Sequence, residues 1–264
     1  MISTIVGLDH AVIAVRDLDR AAAEWAALGF RLSPRGTHSP HMGSGNYTMM
    51  FCEDYIELLG VLIEQPHNAG LRGFLAGREG LERCAFTTTD AAAGVAALRI
   101  RHIAADGPIE FGRPVTLPDG GMAEARFSVM HWPPDEAPGD LRIFACQHHT
   151  RDAVWVPELQ AQPNGVTRII SALIATPDPA GAAAQMARLI DGEVLPDGAF
   201  HRVPTGPGRA EFGFAPRADI ARLAGLDVSL LPERGGAALV LGTSIPRPTA
   251  MATGCALIFQ ETTP

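Results

Sequence analysis

The segment Leu8-Asp9-His10-Ala11-Val12-Ile13-Ala14-Val15-Arg16-Asp17 returns in altered form as Ile170-Ser171-Ala172-Leu173-Ile174-Ala175-Thr176-Pro177-Asp178. Each copy runs an apolar strand into an aspartate placed to cap a helix, and each helix closes on a glycine, Gly29 in the first copy and Gly192 in the second. Repetition on this scale restricts the chain to architectures assembled from like modules. The copies differ at one informative place: His10 of the first is Ser171 in the second.

Alternation from Leu8 to Val15 puts Leu8, His10, Val12 and Ala14 on one face of a strand and Asp9, Ala11, Ile13 and Val15 on the other. Asp17 or Asp19 caps the following helix, whose apolar stripe is Ala22, Trp25, Ala26 and Leu28. Strands are expected at 30–33, 47–52 and 55–61, separated by a loop at 34–46 rich in Pro, Gly and Ser. The order is β-α-β-β-β. A linker over 65–79, with an amphipathic segment around Leu71, Phe74 and Leu75, leads to a second such unit. That unit has a strand at 84–88, Asp90 as cap, a helix over 91–101 and strands near 109–116, 123–131 and 141–147. A second linker, 151–165, is anchored by Trp155. The third unit opens at Thr167, with Asp178 as cap, Pro179 at the first helical position and Met186, Leu189 and Ile190 as the apolar face. Strands at 200–203, 209–214, 237–241 and 255–260 and a helix over 217–223 complete it, with an abbreviated fourth unit.

The 264 residues are 47% hydrophobic and 19% charged, enough to bury a substantial core. A net charge of −8 without any cluster of basic residues argues against a nucleic-acid or anionic-membrane surface. Cys52, Cys84, Cys146 and Cys255 are far apart, form no C-x-x-C pair and all fall on expected strands, which reads as buried free thiols in a reducing compartment. The N-terminus carries no basic leader, and no apolar run reaches the roughly 18 residues of a membrane span. The expectation is a soluble cytoplasmic protein.

The opening DHAVIAVRDLDRAAAEWAALGF, with the later strand Tyr55-Ile56-Glu57-Leu58-Leu59, resembles the vicinal oxygen chelate superfamily, which includes glyoxalase I, bleomycin-resistance proteins, methylmalonyl-CoA epimerase and extradiol dioxygenases. FACQHHTRDAVW followed by PELQAQPNGV resembles an uncharacterised glyoxalase-like bacterial branch. The resemblance implies an α+β fold of tandem β-α-β-β-β modules forming cupped mixed-sheet barrels. One glyoxalase-like domain is expected over 1–150, a linker over 151–166 and a second, degenerate domain over 167–264.

Metal ligands in that superfamily come from the first and last strands of paired modules. The resemblance therefore places His10 and Glu57 at ligand positions, suited to Zn, Fe, Ni or Mn. Aligning Gly7 with Gly80 puts Arg83 opposite His10, and pairing Tyr55-Ile56-Glu57 with Arg142-Ile143-Phe144 puts Phe144 opposite Glu57. Ser171 and Ile258 take these places later in the chain. Only the first module keeps ligand-type residues. The candidates for a third ligand are His148, His149, Gln147 and His131, although His148 lies four positions past the inferred site, roughly 13 Å along an extended strand.

Each candidate has a plainer account beside it. His10 and Glu57 read as a metal-binding or proton-handling pair, or as a hydrogen-bonded core histidine and an edge carboxylate. Arg83 and Arg126 read as clamps for an anion, with Arg126 also a partner for Glu57, or as solvated or ion-paired arginines. Tyr47, Met49 and Phe144 read as pocket lining or as core. The expected function is a glyoxalase-like small-molecule enzyme of lyase, isomerase or dioxygenase type, acting on an oxygenated, anionic metabolite with or without a divalent metal. A metal-free sequestering protein of the bleomycin-resistance type is the alternative. A scaffold with decayed sites, whose main property is dimerisation, is a third reading, and a homodimer is among the expected partners.

Overall fold

The protein is described by a computed structural model covering residues 2–117 and 119–262. In chain order its elements are β1 (Ile5–Val15), α1 (Leu18–Ala27), β2 (Gly36–Thr37), β3 (Ser44–Met50), β4 (Tyr55–Val61), α2 (Ala69–Gly77), β5 (Gly80–Thr88), α3 (Ala91–Ile100), β6 (Asp106–Thr116), β7 (Met122–His131) and β8 (Arg142–His148). The remainder comprises α4 (Pro157–Gln160), β9 (Val166–Ala175), α5 (Pro179–Ile190), β10 (Leu195–Asp197), β11 (Phe200–Pro204), β12 (Glu211–Ala215), α6 (Arg217–Ala224), β13 (Gly235–Thr243), β14 (Ala250–Ala252) and β15 (Cys255–Glu261).

The caps behave as local chemistry dictates. The Asp17 carboxylate accepts from the N–H groups of Asp19 and Arg20, Asp90 accepts from Ala93, and Asp178 accepts from Gly181 with Pro179 at the first turn. Gly29 takes the left-handed conformation after α1 (φ +80°). At the end of α5 that conformation falls on Asp191 (φ +56°), one residue before the expected Gly192.

Eight strands form the first sheet in the order β2-β3-β4-β1-β5-β8-β7-β6. β1 runs parallel to β4 and antiparallel to β5, while β5 runs parallel to β8, so the two modules meet along β1 and β5. The edge strands β2 and β6 approach one another, curling the sheet into a nearly closed cup. Seven strands in the order β10-β11-β12-β9-β13-β15-β14 repeat the plan. The fourth module, β13 to β15, has no helix among the described residues.

Two details depart from the sequence reading. Residues 30–33 form no strand, because the Arg31 N–H is taken by the Gln162 side chain and Pro34 has no N–H to offer a ladder; pairing resumes at Gly36 and Thr37. Cys52 lies past the end of β3 in an exposed turn, whereas Cys84, Cys146 and Cys255 are buried.

The halves share a core. Leu8, Ile13 and Phe86 of the first sheet pack in one apolar cluster with Ile169, Phe212 and Phe214 of the second. Trp25 of α1 is fully buried and donates its indole N–H to Thr253 Oγ1 at 3.0 Å. Gly236 of β13 lies so near β5 that a Cβ there would stand 2.4 Å from Leu81 Cγ. No helix among the described residues is long and apolar enough to cross a membrane.

The two cups are filled differently. In the second, α6 seats Ile220 and Ala221 against Leu173, Ala175, Ala215, Ala237, Ala238, Val240 and Ala256. The corresponding helix of the first half, α2, packs Leu71 and Leu75 on Val12, Ala14 and Leu59. It closes only one side, and a cavity of about 320 Å³ remains.

Candidate functional site

The base of that cavity is organised by a β-bulge. In the β1–β5 ladder Leu8 faces Phe86 and His10 faces Ala85, which leaves Asp9 as an extra residue. A bulge turns consecutive side chains to the same side. Asp9 and His10 therefore meet, with His10 Nδ1 2.7 Å from Asp9 Oδ1, while Leu8 joins the core with Ala11 and Ile13. Strict alternation had assigned Leu8 and His10 to one face and Asp9 to the other.

Asp9 is fully buried and accepts further hydrogen bonds from Thr87 Oγ1 (2.7 Å) and His148 Nε2 (3.1 Å to Oδ2). Burial opposes its charge, but the nearby His148 and the hydrogen bonds from both imidazoles prevail and hold the carboxyl well below the usual range. An ionised carboxylate only accepts, so His10 carries its proton on Nδ1 toward Asp9 and turns Nε2 to the cup. That nitrogen lies 3.7 Å from Glu57 Oε2. The ring stacks on Tyr55 (centroids 4.3 Å apart) and meets the edge of Phe144 at 5.5 Å.

Glu57, on β4 opposite Val12, is buried and accepts at Oε1 from Asn46 Nδ2 of β3 at 2.7 Å. His38 Nε2 stands 3.9 Å from the same oxygen, its Nδ1 2.8 Å from Ser44 Oγ. Burial pushes the His38 imidazole down to about 4 despite the carboxylate, so it is neutral at physiological pH.

A second bulge lies on β5. Val12 faces Arg83 while Ile13 faces Leu81, and the extra residue is Glu82. Its carboxylate, 2% exposed, accepts from Arg83 Nε and from Arg142 Nη1 (3.1 Å). Glu82-Arg83 thus repeats Asp9-His10: a buried, bulged acid grips the next side chain and one from β8. The second sheet keeps both bulges, at Ile170 and Ala237, but neither carries an acid.

A glyoxalase-like domain profile matches residues 8–190. The chain belongs to the glyoxalase-like domain family. It is accordingly a member of the vicinal oxygen chelate superfamily. A hypothetical protein from Staphylococcus aureus superposes on 97% of this chain and 99% of its own, with a TM-score of 0.77 at 12% identity, so the fold extends over both halves. Methylmalonyl-CoA epimerase from Mycobacterium tuberculosis aligns with 57% of this chain and 93% of its own (22% identity, TM-score 0.43). A hypothetical protein from Bacillus halodurans aligns with 53% and 92% (20% identity, TM-score 0.41). No curated protein matches the sequence.

Within this glyoxalase-like cup, His10, Glu57, Arg83 and Phe144 line one cavity. The other expected residues lie elsewhere. Arg126 is exposed on the outer face of β7, next to Ala125 and Phe127, and does not reach Glu57, whose close partner is Asn46. Tyr47 donates its hydroxyl to Asp19 on α1, and Met49 is buried in the core shared with Trp25. His148 has its side chain beneath the cup, covered by Trp155 and Phe127, with Nε2 committed to Asp9. It supports the site from behind instead of ligating with Glu57. Trp155 does anchor the second linker there, under the Arg151 guanidinium.

The sequence reading missed His38, Asn46, Arg113 and Arg142 as lining or support, whereas His131, one of its candidates for a third ligand, does line the cavity. His38 sits in an irregular loop with no period to reveal its direction. Arg113 shares alternation with Ile109 and Phe111 on β6, a signal that was present.

Members of this superfamily often hold a divalent metal. The donor set here does not fit one. Positions equivalent to His10 and Glu57 in the second module carry the cationic Arg83 and the apolar Phe144, Asn46 already binds Glu57, and the described residues hold no group of three His, Cys, Asp or Glu arranged around an ion.

Proposed function

We propose that this protein is a small-molecule enzyme that moves a proton at a carbon next to a carbonyl in an oxygenated, anionic metabolite. The observation that carries the reading is the chain Asp9–His10–Glu57 at the base of a cup with Arg83 on its wall. Asp9 fixes the His10 tautomer, so Nε2 is a basic nitrogen held beside a carboxylate. Glu57 takes the proton from the carbon acid, the C–H electron pair moves onto the carbonyl oxygen, and His10 is placed to relay the proton. Returning it to the same or the neighbouring carbon gives an epimer or an isomer, and no oxidant is needed. The chemistry asks nothing of a metal, in keeping with the donor set. In this reading the protein works in the cytoplasm, where its free thiols stay reduced.

The test is isotope exchange. Incubating the protein in D₂O with a panel of 2-oxo and 2-hydroxy acids and following the α-proton signal by NMR should reveal exchange, reduced about 100-fold or more in Glu57→Gln and His10→Ala. Absence of exchange across the panel, or exchange untouched by both substitutions, would sink the proposal.

The aromatic walls, Tyr55, Phe111, Phe127 and Phe144, favour a second reading in which the cup sequesters its ligand unchanged. Binding without exchange is its signature.

A further inference from the structure

The bulged Glu82 and its two arginines form a built feature that proton transfer leaves unexplained. A carboxylate this deeply buried normally serves to neutralise or position a cation. Here it positions two. Arg83 engages it through Nε, which leaves both terminal nitrogens of that guanidinium for another partner. Arg142 engages it through Nη1, and its side chain remains 40% exposed. Both arginines line the same cavity as His10 and Glu57.

The charges of that cavity select the partner. Arg83, Arg142 and Arg113 line the cavity as cations and Glu57 and Glu110 as acids, with Glu82 behind the first two arginines. His38 is neutral, and burial together with Arg83 and Arg142 lowers His131, so it too stays uncharged near pH 7. At the subsite itself two arginines meet one carboxylate, Glu82, which leaves one positive charge there. The subsite therefore balances a single negative charge, and the paired forks suit a planar carboxylate. Much of the wall is apolar and aromatic: Val12, Leu59, Phe111, Phe127, Val129 and Phe144.

We infer that Glu82, Arg83 and Arg142 form a binding subsite for a singly charged carboxylate with an apolar body. Arg83 and Arg142 contact the ligand, and Glu82 is the positioning residue. The subsite occupies the half of the cup where the family pattern would place the second pair of metal ligands, so an anion clamp has taken over that space. The inference rests on the small-molecule reading above and names its substrate class, but the test is one of binding and does not depend on turnover.

Phenylacetate, phenylacetamide and phenyl phosphate are suitable probes, titrated into the full chain by calorimetry. Phenylacetate is expected to bind about tenfold or more tightly than the amide, and more tightly than the doubly charged phosphate ester. The acid-to-amide ratio should fall toward one in Arg142→Met and Arg83→Met, and stay unchanged in the outward-facing Arg126→Met. Glu82→Gln should weaken the acid but not the amide, with partial rescue by Glu82→Asp. If Glu82→Gln does not fold, the half-exposed Arg142 decides the matter. No binding of phenylacetate, equal binding of acid and amide, a ratio indifferent to Arg142→Met, or a preference for the phosphate ester would each overturn the subsite. Failed deuterium exchange beside a charge-dependent ratio would overturn only the proton-transfer reading.

Discussion

Asp9 and His10 are adjacent in sequence yet point to the same side of β1, and their side chains share a 2.7 Å hydrogen bond because the strand bulges between Leu8 and His10. Replacing the carboxylate by an amide keeps the size and changes the proton arrangement. Asp9→Asn should leave the protein folded at neutral pH, and deuterium exchange of any substrate found should slow about 10–100-fold. Since Glu57 and the arginines are untouched, ligand affinity should change far less than rate. A loss confined to affinity would contradict the role given to Asp9.

The outward placement of Arg126 makes a contrasting prediction. Arg126→Ala should shift stability by less than about 0.5 kcal/mol and leave exchange unchanged, as expected for an exposed strand residue without a side-chain partner in the cup. Asn46→Ala, five strands away in the sheet, should reduce exchange by freeing Glu57 Oε1 from its 2.7 Å donor. Parallel NMR exchange and thermal melts on the two variants check both statements.

Asp54, buried in the turn between β3 and β4, accepts from the Ile169 N–H at 3.0 Å. Burial pushes its carboxyl from 3.8 up to about 7, with the Ile169 hydrogen bond only partly opposing. Between these values the native state holds a proton that the unfolded chain has lost, so this contribution to stability declines as pH rises from about 4 to 7 and is gone above. Asp54→Asn, which cannot ionise, should be more stable than wild type by roughly 1–3 kcal/mol at pH 8. The gap should close toward pH 5. Melting temperatures across that range give the answer, and a gap that widens on acidification would refute the assignment.

Gly236 tests how the sheets are joined. A side chain there would collide with Leu81 Cγ at 2.4 Å and with the Leu81 carbonyl oxygen at 2.6 Å. Gly236→Val should cost about 1–3 kcal/mol by overpacking, measurable by denaturant unfolding. Gly73→Ala in α2, where a Cβ meets nothing within 4 Å, should be neutral or slightly stabilising.

What could be read from the residues followed the range of the forces involved. Asp17, Asp90 and Asp178 cap through bonds that span three residues, so the repeating strand-cap-helix plan was visible in the chain. The bulges at Asp9 and Glu82 arise from pairing between β1 and β5, more than 70 residues apart, and no local pattern announces them. Alternation along β7 separates Arg126 from Phe127 but does not say which of them faces the cup. That sign is set by curvature, so Arg126 was placed inside. Tyr47 and Met49 were misassigned for the same reason on β3. The helix over Arg217–Ala224 was expected, but its seat in the second cup depends on the small side chains Ala175, Ala215, Ala237 and Ala256 gathered from four strands.

The bulge at Asp9 has one more dependence. The Leu8 N–H donates to Thr205 Oγ1 at 2.9 Å, and the Leu8 carbonyl accepts from Arg209 Nη2 at 2.6 Å. Arg209 Nη2 also reaches Thr87 Oγ1, the hydroxyl that donates to Asp9. The backbone flanking the bulge is thus held by residues about two hundred positions downstream, in the connection between β11 and β12 of a sheet whose own cup is filled. The half whose cup is filled is the buttress that keeps the other half's histidine aimed.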